Sequence, residues 1–345
     1  MSGDTRDAPR TLVSFPMLPE LARELRSAIG LQHKRDIQAA ARHLPRVRSG
    51  PWGAGEVRIG DDTAAIPDGD GYLLFAAEGM WPDLVATEPR FAGYCAVMVN
   101  ASDVYAMGGR PLAIVDAIFA GSADAAAPIW QGMADAAERF QIPIVGGHTN
   151  LRSPYVALAA AVLGRARRVL TSFDARPGDD LVVAVDLRGR MHPRHAFWNA
   201  STDAAPVRLR ADYALLPRIA EEGMAAAAKD ISMGGIAGTA LMLCEASGVG
   251  ATLTLDAIPR PGGVAWATWL QAFPSYGFLL AVRPSDSARL CAAFAARHID
   301  AAVAGRFDAS RRVTLASGDA RAVLWDLADA ALTGFGGDRE TRGYA

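Results

Sequence analysis

The chain has 345 residues, 51% of them hydrophobic and 21% charged, with a formal net charge of −2. This suits a globular protein of two ordinary domains with ample material for a core. Both signs of charge are spread along the chain, no basic stripe is present, and no apolar run reaches membrane-spanning length, so neither nucleic acid nor a membrane is expected as a partner.

The N-terminus opens on polar residues, Ser2 to Arg10, without a signal-peptide core. Three isolated cysteines, Cys95, Cys244 and Cys291, fit a reducing cytoplasm better than a disulfide framework or a zinc site. Residues 1–17 read as a flexible arm. Apolar residues four apart (Leu21, Leu25, Ile29) predict a helix over Pro19–Ile29, broken by Gly30. A second helical stretch runs to about Leu44, and Ser49–Gly55 is a Gly/Pro-rich loop.

Strands and helices then alternate. Leu73–Ala77 reads as a strand, and Pro89–Met107 as a helix closed by Gly108-Gly109. Leu112–Ala120 is a strand and Ala125–Phe140 a helix. Ile142–Val145 is a strand ending at Gly146-Gly147, and Val156–Leu163 is another. The charged, Pro- and Gly-containing segment Arg165–Gly178 marks a domain boundary, placed at 168/169. Beyond it come the strand Leu181–Val185, a helix from about Gly235 to Ala246, and the strands Ala251–Leu255, Phe278–Val282 and Ala302–Phe307. The alternation predicts α/β (α+β) layering.

Four short segments carry candidate chemistry. Gly60-Asp61-Asp62 can aim two hard oxygen ligands from a tight turn, which suits magnesium and phosphate, or, the plainer reading of the motif alone, is an Asp-rich surface turn. Asn100 and Asp103 share one face of an otherwise apolar helix, a face that needs polar partners or solvent. Gly146-Gly147-His148 at a strand end leaves room for a ligand or is a plain turn. Lys229-Asp230-Ile231-Ser232-Met233-Gly234-Gly235 precedes a helix whose N-terminus favours phosphate. Ser232 is otherwise a helix cap. No Gly-Lys-Ser/Thr follows, so this is not a P-loop. Lysine occurs only as Lys34 and Lys229. Each is a phosphate contact or an ordinary surface or paired charge. Trp52 and Trp81 lie near these motifs and either line a pocket or simply pack.

In order and spacing the segments resemble the aminoimidazole-ribonucleotide-synthetase (PurM-like) superfamily, with thiamine-monophosphate kinase the nearest pattern. The matching residues are Gly60-Asp61-Asp62, Asn100 to Asp103 with Ala106-Met107-Gly108, Gly147-His148-Thr149, and Asp230-Ile231-Ser232. The resemblance spans roughly residues 50 to 310. It implies an N-terminal sheet domain that pairs with a second copy in a homodimer, and a C-terminal domain closing over ATP. It implies magnesium at Asp62, Asp103 and Asp230, with Glu78 where the kinase has a metal-binding Asp. Gly60, Asp61, Asn100, Gly146, Gly147, Ser232, Gly234 and Gly235 would line the nucleotide site, and His148 is a candidate proton carrier.

Departures are specific. His148 and Met233 each stand where the kinase has an acid. Its Gly-Glu-Asp-Tyr segment survives only as Pro274-Ser275-Tyr276-Gly277, and its ATP-binding Arg aligns near Ser172. These changes point away from thiamine monophosphate, toward a related branch whose substrate the resemblance does not name. The expected activity is ATP-dependent phosphoryl transfer to an oxygen of a small amide, carboxylate or phosphate metabolite. The alternatives are a non-catalytic nucleotide-binding or assembly subunit, and thiamine-monophosphate kinase itself.

Overall fold

The computed structural model describes residues 17–44, 47–50 and 56–336. Trp52, most of the expected Ser49–Gly55 loop and residues 1–16 of the expected arm lie outside them. Helices α1 (Met17–Ser27) and α2 (Ile29–Ala41) come first, followed by a ribbon of β1 (Val47–Ser49) and β2 (Glu56–Arg58).

The first sheet contains β3 (Ala64–Asp68), β4 (Gly71–Gly79), β5 (Arg110–Phe119), β6 (Ile144–Asn150) and β7 (Ala157–Ala166). Its order is β3-β4-β7-β5-β6, and β5–β6 is its parallel pair. One face carries α3 (Pro82–Thr87), α4 (Pro89–Ala106) and α5 (Ala123–Phe140). Strand alternation sends Leu74 into that core, while Phe75 on the other face is 51% exposed. The helices α4 and α5 touch backbone to backbone through two glycines. A Cβ on Gly93 would collide with the Ile129 carbonyl oxygen, and one on Gly132 with that of Arg90.

The second half contains β8 (Asp180–Val185), β9 (Arg190–Met191), β10 (Phe197–Asn199), α6 (Pro206–Tyr213), α7 (Leu215–Glu221), β11 (Ala227–Asp230), α8 (Gly235–Ser247), β12 (Gly250–Thr254), α9 (Trp266–Gln271), β13 (Phe273–Pro274), β14 (Gly277–Val282), α10 (Pro284–Ala295), β15 (Asp300–Asp308), β16 (Arg312–Ser317) and β17 (Ala320–Asp326). Its main sheet runs β11-β14-β8-β15-β12-β16-β17. The apolar run Leu181–Val185 is buried on both faces. Val182 and Ala184 join the core shared with α4, while Leu181, Val183 and Val185 join the core beneath α8. The expected α/β layering in two parts is therefore observed.

Three local readings change. The break between α1 and α2 falls at Ala28, and Gly30 sits inside α2. The glycine serves contact rather than helix ending, because a Cβ there would strike the Met233 carbonyl oxygen. Second, β6 runs through Gly146, Gly147 and His148 instead of ending before them, because the segment pairs with β5 as far as Asn150. Third, α1 and α2 pack with the second half: Leu18, Leu21, Leu25 and Leu31 share a core with Leu241, Leu253 and Leu324.

The far end of the described chain returns to the same region. Buried Glu245 of α8 accepts hydrogen bonds from the amides of Leu332 and Thr333, both at 2.8 Å. Phe335 then packs against Gly60.

Replacing Gly132 by Ala should force α4 and α5 apart and cost about 1–3 kcal/mol, the usual range for overpacking. Urea denaturation should show a lower midpoint with an unchanged slope. An unaltered midpoint would mean that the helices do not meet this closely.

Candidate functional site

The two halves meet at a cluster of acids, each placed by a different element. Asp62 follows Gly60-Asp61 in the turn leading to β3. Asp103 lies on α4, one turn after Asn100, and Asp230 ends β11. One carboxylate oxygen from each of Asp62, Asp103 and Asp230 lies within 4.8 Å of the others. All three side chains are largely shielded from water, and so is Lys229, the neighbour of Asp230.

Lys229 Nζ donates to Asp62 Oδ1, joining a residue of the first half to one of the second. The Asp230 amide donates to Asp62 Oδ2 at 3.2 Å. Asp61 turns the other way. Its carboxylate accepts from the Ser172 amide at 2.9 Å and from the Ser172 hydroxyl, which fastens the turn to the segment joining the two sheets. Ser172 thus clamps the acidic turn.

The electrostatics are unbalanced. Burial pushes Asp230 up to about 8, with Asp62 adding to the effect. Burial raises Asp61 to about 6, again reinforced by Asp62. Asp103 is driven well above the carboxylate range by burial, then by Asp230, Glu78 and Asp62. Burial opposes the charge on Lys229, yet Asp62, Asp61 and Asp230 hold its pKa above normal. One ammonium group does not offset this many carboxylates.

Two polar atoms sharpen the point. Asp103 Oδ2 and Asn100 Oδ1 are buried without a hydrogen-bond partner among the described residues, although Asn100 Nδ2 donates to the Ala96 carbonyl at 2.8 Å. Buried acceptors are rarely left unmet. A divalent cation among three carboxylates supplies positive charge and accepts hard oxygen donors, so these residues fit magnesium.

Glu78 lies at the mouth of the cluster. Solvent reaches it, yet desolvation raises its pKa, with Lys34 of α2 acting in the opposite direction. Lys34 also acts on Asp230. Sequence reasoning gave Lys34 no firm role, because only the packing of α2 onto the second half brings it here.

Strand register separates His148 from this cluster. Glu78, Ala160, Asp116 and Gly147 stand in one row across the sheet, and buried Ala160 shows that this row faces the helices. His148 belongs to the next row, with Gly79, Ala159 and Ala117, on the opposite face. There its ring lies 5.7 Å from that of Phe119. Asp116 is a carboxylate that sequence reasoning missed. Its signal was a lone acid inside the apolar strand read over Leu112–Ala120, and burial raises its pKa.

At the head of α8, Gly234 is the N-cap and no side chain caps the helix. Gly235 has a φ of 62°, and its amide is used within the turn, donating to the Ser232 carbonyl at 2.8 Å. Trp81 stands between two histidine rings, His33 at 6.5 Å and His195 at 6.0 Å.

Two family models match the chain: "AIR synthase related protein, N-terminal domain" over residues 60–166, and the corresponding C-terminal domain over 189–317. An uncharacterized protein of Synechocystis sp., sll0787, is 49% identical over 93% of this chain and 100% of its own length. Selenide, water dikinase of Yersinia pestis is 26% identical over 64% of this chain and 68% of its own. The structure of T. maritima PurL complexed with ATP superposes with a TM-score of 0.68 at 19% identity, covering 90% of this chain and 54% of that one. This chain thus spans about half of that PurL structure, and at this identity the likeness concerns the fold.

The raised carboxyls set a pH dependence. A carboxyl whose pKa rises on folding stabilises the fold fully below its unfolded pKa, and that contribution is lost as pH climbs through the folded value. With Asp61 at about 6 and Asp230 at about 8, chelator-treated protein should melt at falling temperatures as the pH rises through this window. Added magnesium should recover the loss at the alkaline end. A melting temperature that rises with pH over that window would contradict this charge balance.

Proposed function

Since the chain belongs to the AIR synthase related protein family, we propose that it binds ATP with magnesium between its two sheets and transfers a phosphoryl group to an oxygen of a small amide, carboxylate or phosphate metabolite. One observation carries the reading: three buried acids from both halves converge beside two buried acceptors, Asp103 Oδ2 and Asn100 Oδ1, that lack protein partners among the described residues.

Magnesium would be held by Asp62, Asp103 and Asp230, and would neutralise phosphate charge during transfer. Lys229 holds Asp62 in place, while Asp61, bound to Ser172, fixes the turn that begins at Gly60. Glu78 and Lys34 at the mouth address the open side of the cluster. Ser232 and Gly234 would offer the head of α8 to phosphate, with Gly235, whose amide bonds the Ser232 carbonyl, shaping the turn. Catalysis of this kind rests on positioning and charge complementarity.

We further propose a homodimer built on the uncovered face of the first sheet. Phe75 and Leu163 are paired across β4 and β7 there, and Val115 of the same face is 40% exposed. A contiguous apolar face of this kind favours a partner. His148, Phe119 and Tyr155 would lie within or beside that interface. We place the domain boundary at 168/169, with α1 and α2 packing onto the second domain. A cytoplasmic location accords with three free cysteines. No helix among the described residues is long and apolar enough to cross a membrane.

Calorimetric titration with a non-hydrolysable ATP analogue should show binding that requires magnesium. Asp103→Asn, close to isosteric, should abolish the magnesium-dependent part while leaving the fold intact by circular dichroism. Unchanged binding in a folded Asp103→Asn protein would refute the metal assignment. Nucleotide binding without ATP consumption across a panel of candidate metabolites would favour the non-catalytic subunit. Phe75→Arg should convert the dimer to monomers in sedimentation velocity, and a wild-type protein that sediments as a monomer would dismiss the dimer.

A further inference from the structure

A second group of metal-capable side chains lies outside the acidic cluster. The turn joining β9 to β10 carries His192-Pro193-Arg194-His195, and Glu88 occupies the N-cap position of α4. The Glu88 side chain does not cap the helix it precedes. It reaches the turn instead, with one oxygen for each imidazole: Oε2 lies 3.2 Å from His192 Nε2, and Oε1 lies 3.0 Å from His195 Nε2.

From these positions we infer a second cation site, distinct from the magnesium cluster, in which Glu88, His192 and His195 hold a borderline or soft divalent ion of the zinc, cobalt or nickel class.

The donor set decides the class. Two imidazole nitrogens and one carboxylate suit these metals, whereas magnesium takes oxygen. Spacing agrees as well. Donors about 2.1 Å from one ion, at angles between square and tetrahedral, stand about 3.0–3.4 Å apart. The imidazole-to-carboxylate distances of 3.2 and 3.0 Å match that spacing. Both imidazole side chains are mostly buried, with exposures of 11% and 13%. The rings are also fixed by stacking: Phe91 lies 5.1 Å from His192, and the two imidazoles are 4.9 Å apart. Rings held this way have little rotational freedom to lose when an ion arrives.

Without an ion, Arg194 supplies the positive charge, donating to Glu88 Oε1 at 3.1 Å through Nε. Its side chain is 55% exposed and free to swing out. The amides of Arg194 and His195 each approach His192 Nδ1 at 3.3 Å, which selects the Nε2–H tautomer. Ligation moves that proton to Nδ1, so the imidazole keeps one proton while these two long contacts open. Three protein donors leave a position for water or a substrate atom. The edge of Trp81 separates His195 from His33, the neighbour of Lys34 at the mouth of the acidic cluster.

The test is a cobalt titration of full-length, chelator-stripped protein in excess magnesium, read by visible d–d absorption. One cobalt ion per chain should bind with the intense bands of low coordination number, in the wild type and in Asp103→Asn alike. Glu88→Gln and His195→Asn should each weaken binding by at least ~10-fold, as loss of a ligand requires. Arg194→Gln should tighten it by removing the competing cation. Absence of a cobalt band in the wild type, or wild-type affinity in folded His195→Asn, would overturn the site, leaving a hydrogen-bonded Glu–His–Arg knot that fastens the turn to α4. Neither result depends on nucleotide binding, so this inference and the proposed function fail separately.

Discussion

Carboxylates from two halves of one chain meet around one buried ammonium group, and the surrounding structure follows from containing that imbalance. Removing charged groups from water is costly unless each finds a partner. Lys229 supplies one partner by reaching Asp62 across the junction. The amide of Asp230 supplies another, and Ser172 occupies Asp61. What remains unmet is concentrated at Asp103 and Asn100, on one face of α4. A helix otherwise buried in apolar surroundings thus carries two acceptors where both sheets end.

The close approach of elements around this point depends on small residues. Gly30 lets α2 lie on the loop before α8, bringing Lys34 to the mouth of the cluster. Gly93 and Gly132 let α5 lie on α4, which supports the helix that presents Asp103. None of these contacts carries charge, but each sets where a charge stands. Electrostatic preorganisation of this kind is built from packing.

Much of this was legible in the sequence because it is local. Asn100 and Asp103 are three apart on a helix, and two adjacent aspartates follow Gly60 in a turn. Assembly of Asp62, Asp103 and Asp230 into one cluster came only from the resemblance, since no spacing relates residues this far apart. The partner of Lys229 lies beyond local reading for the same reason, because the fold pairs it with Asp62, 167 residues away. His148 shows how sensitive a strand is to phase. Reading Gly146-Gly147-His148 as a turn left its direction open, whereas continuing β6 by a few residues assigns it a face, and alternation puts it opposite Glu78. The cluster of Glu88, His192 and His195 likewise needed the turn after β9 to fold back onto the start of α4.

The clasp between Glu245 and the amides of Leu332 and Thr333 has a kinetic consequence. It lays Phe335 against Gly60, so the turn carrying Asp62 is packed by residues from the opposite end of the described chain. Contacts between such distant segments are slow to form. During synthesis, the first sheet and its helices can collapse while Asp62 still lacks both Lys229 and this packing. The nascent chain therefore carries its acidic turn without its counter-charge until β11 has emerged, and without the packing of Phe335 until about a hundred residues more have followed.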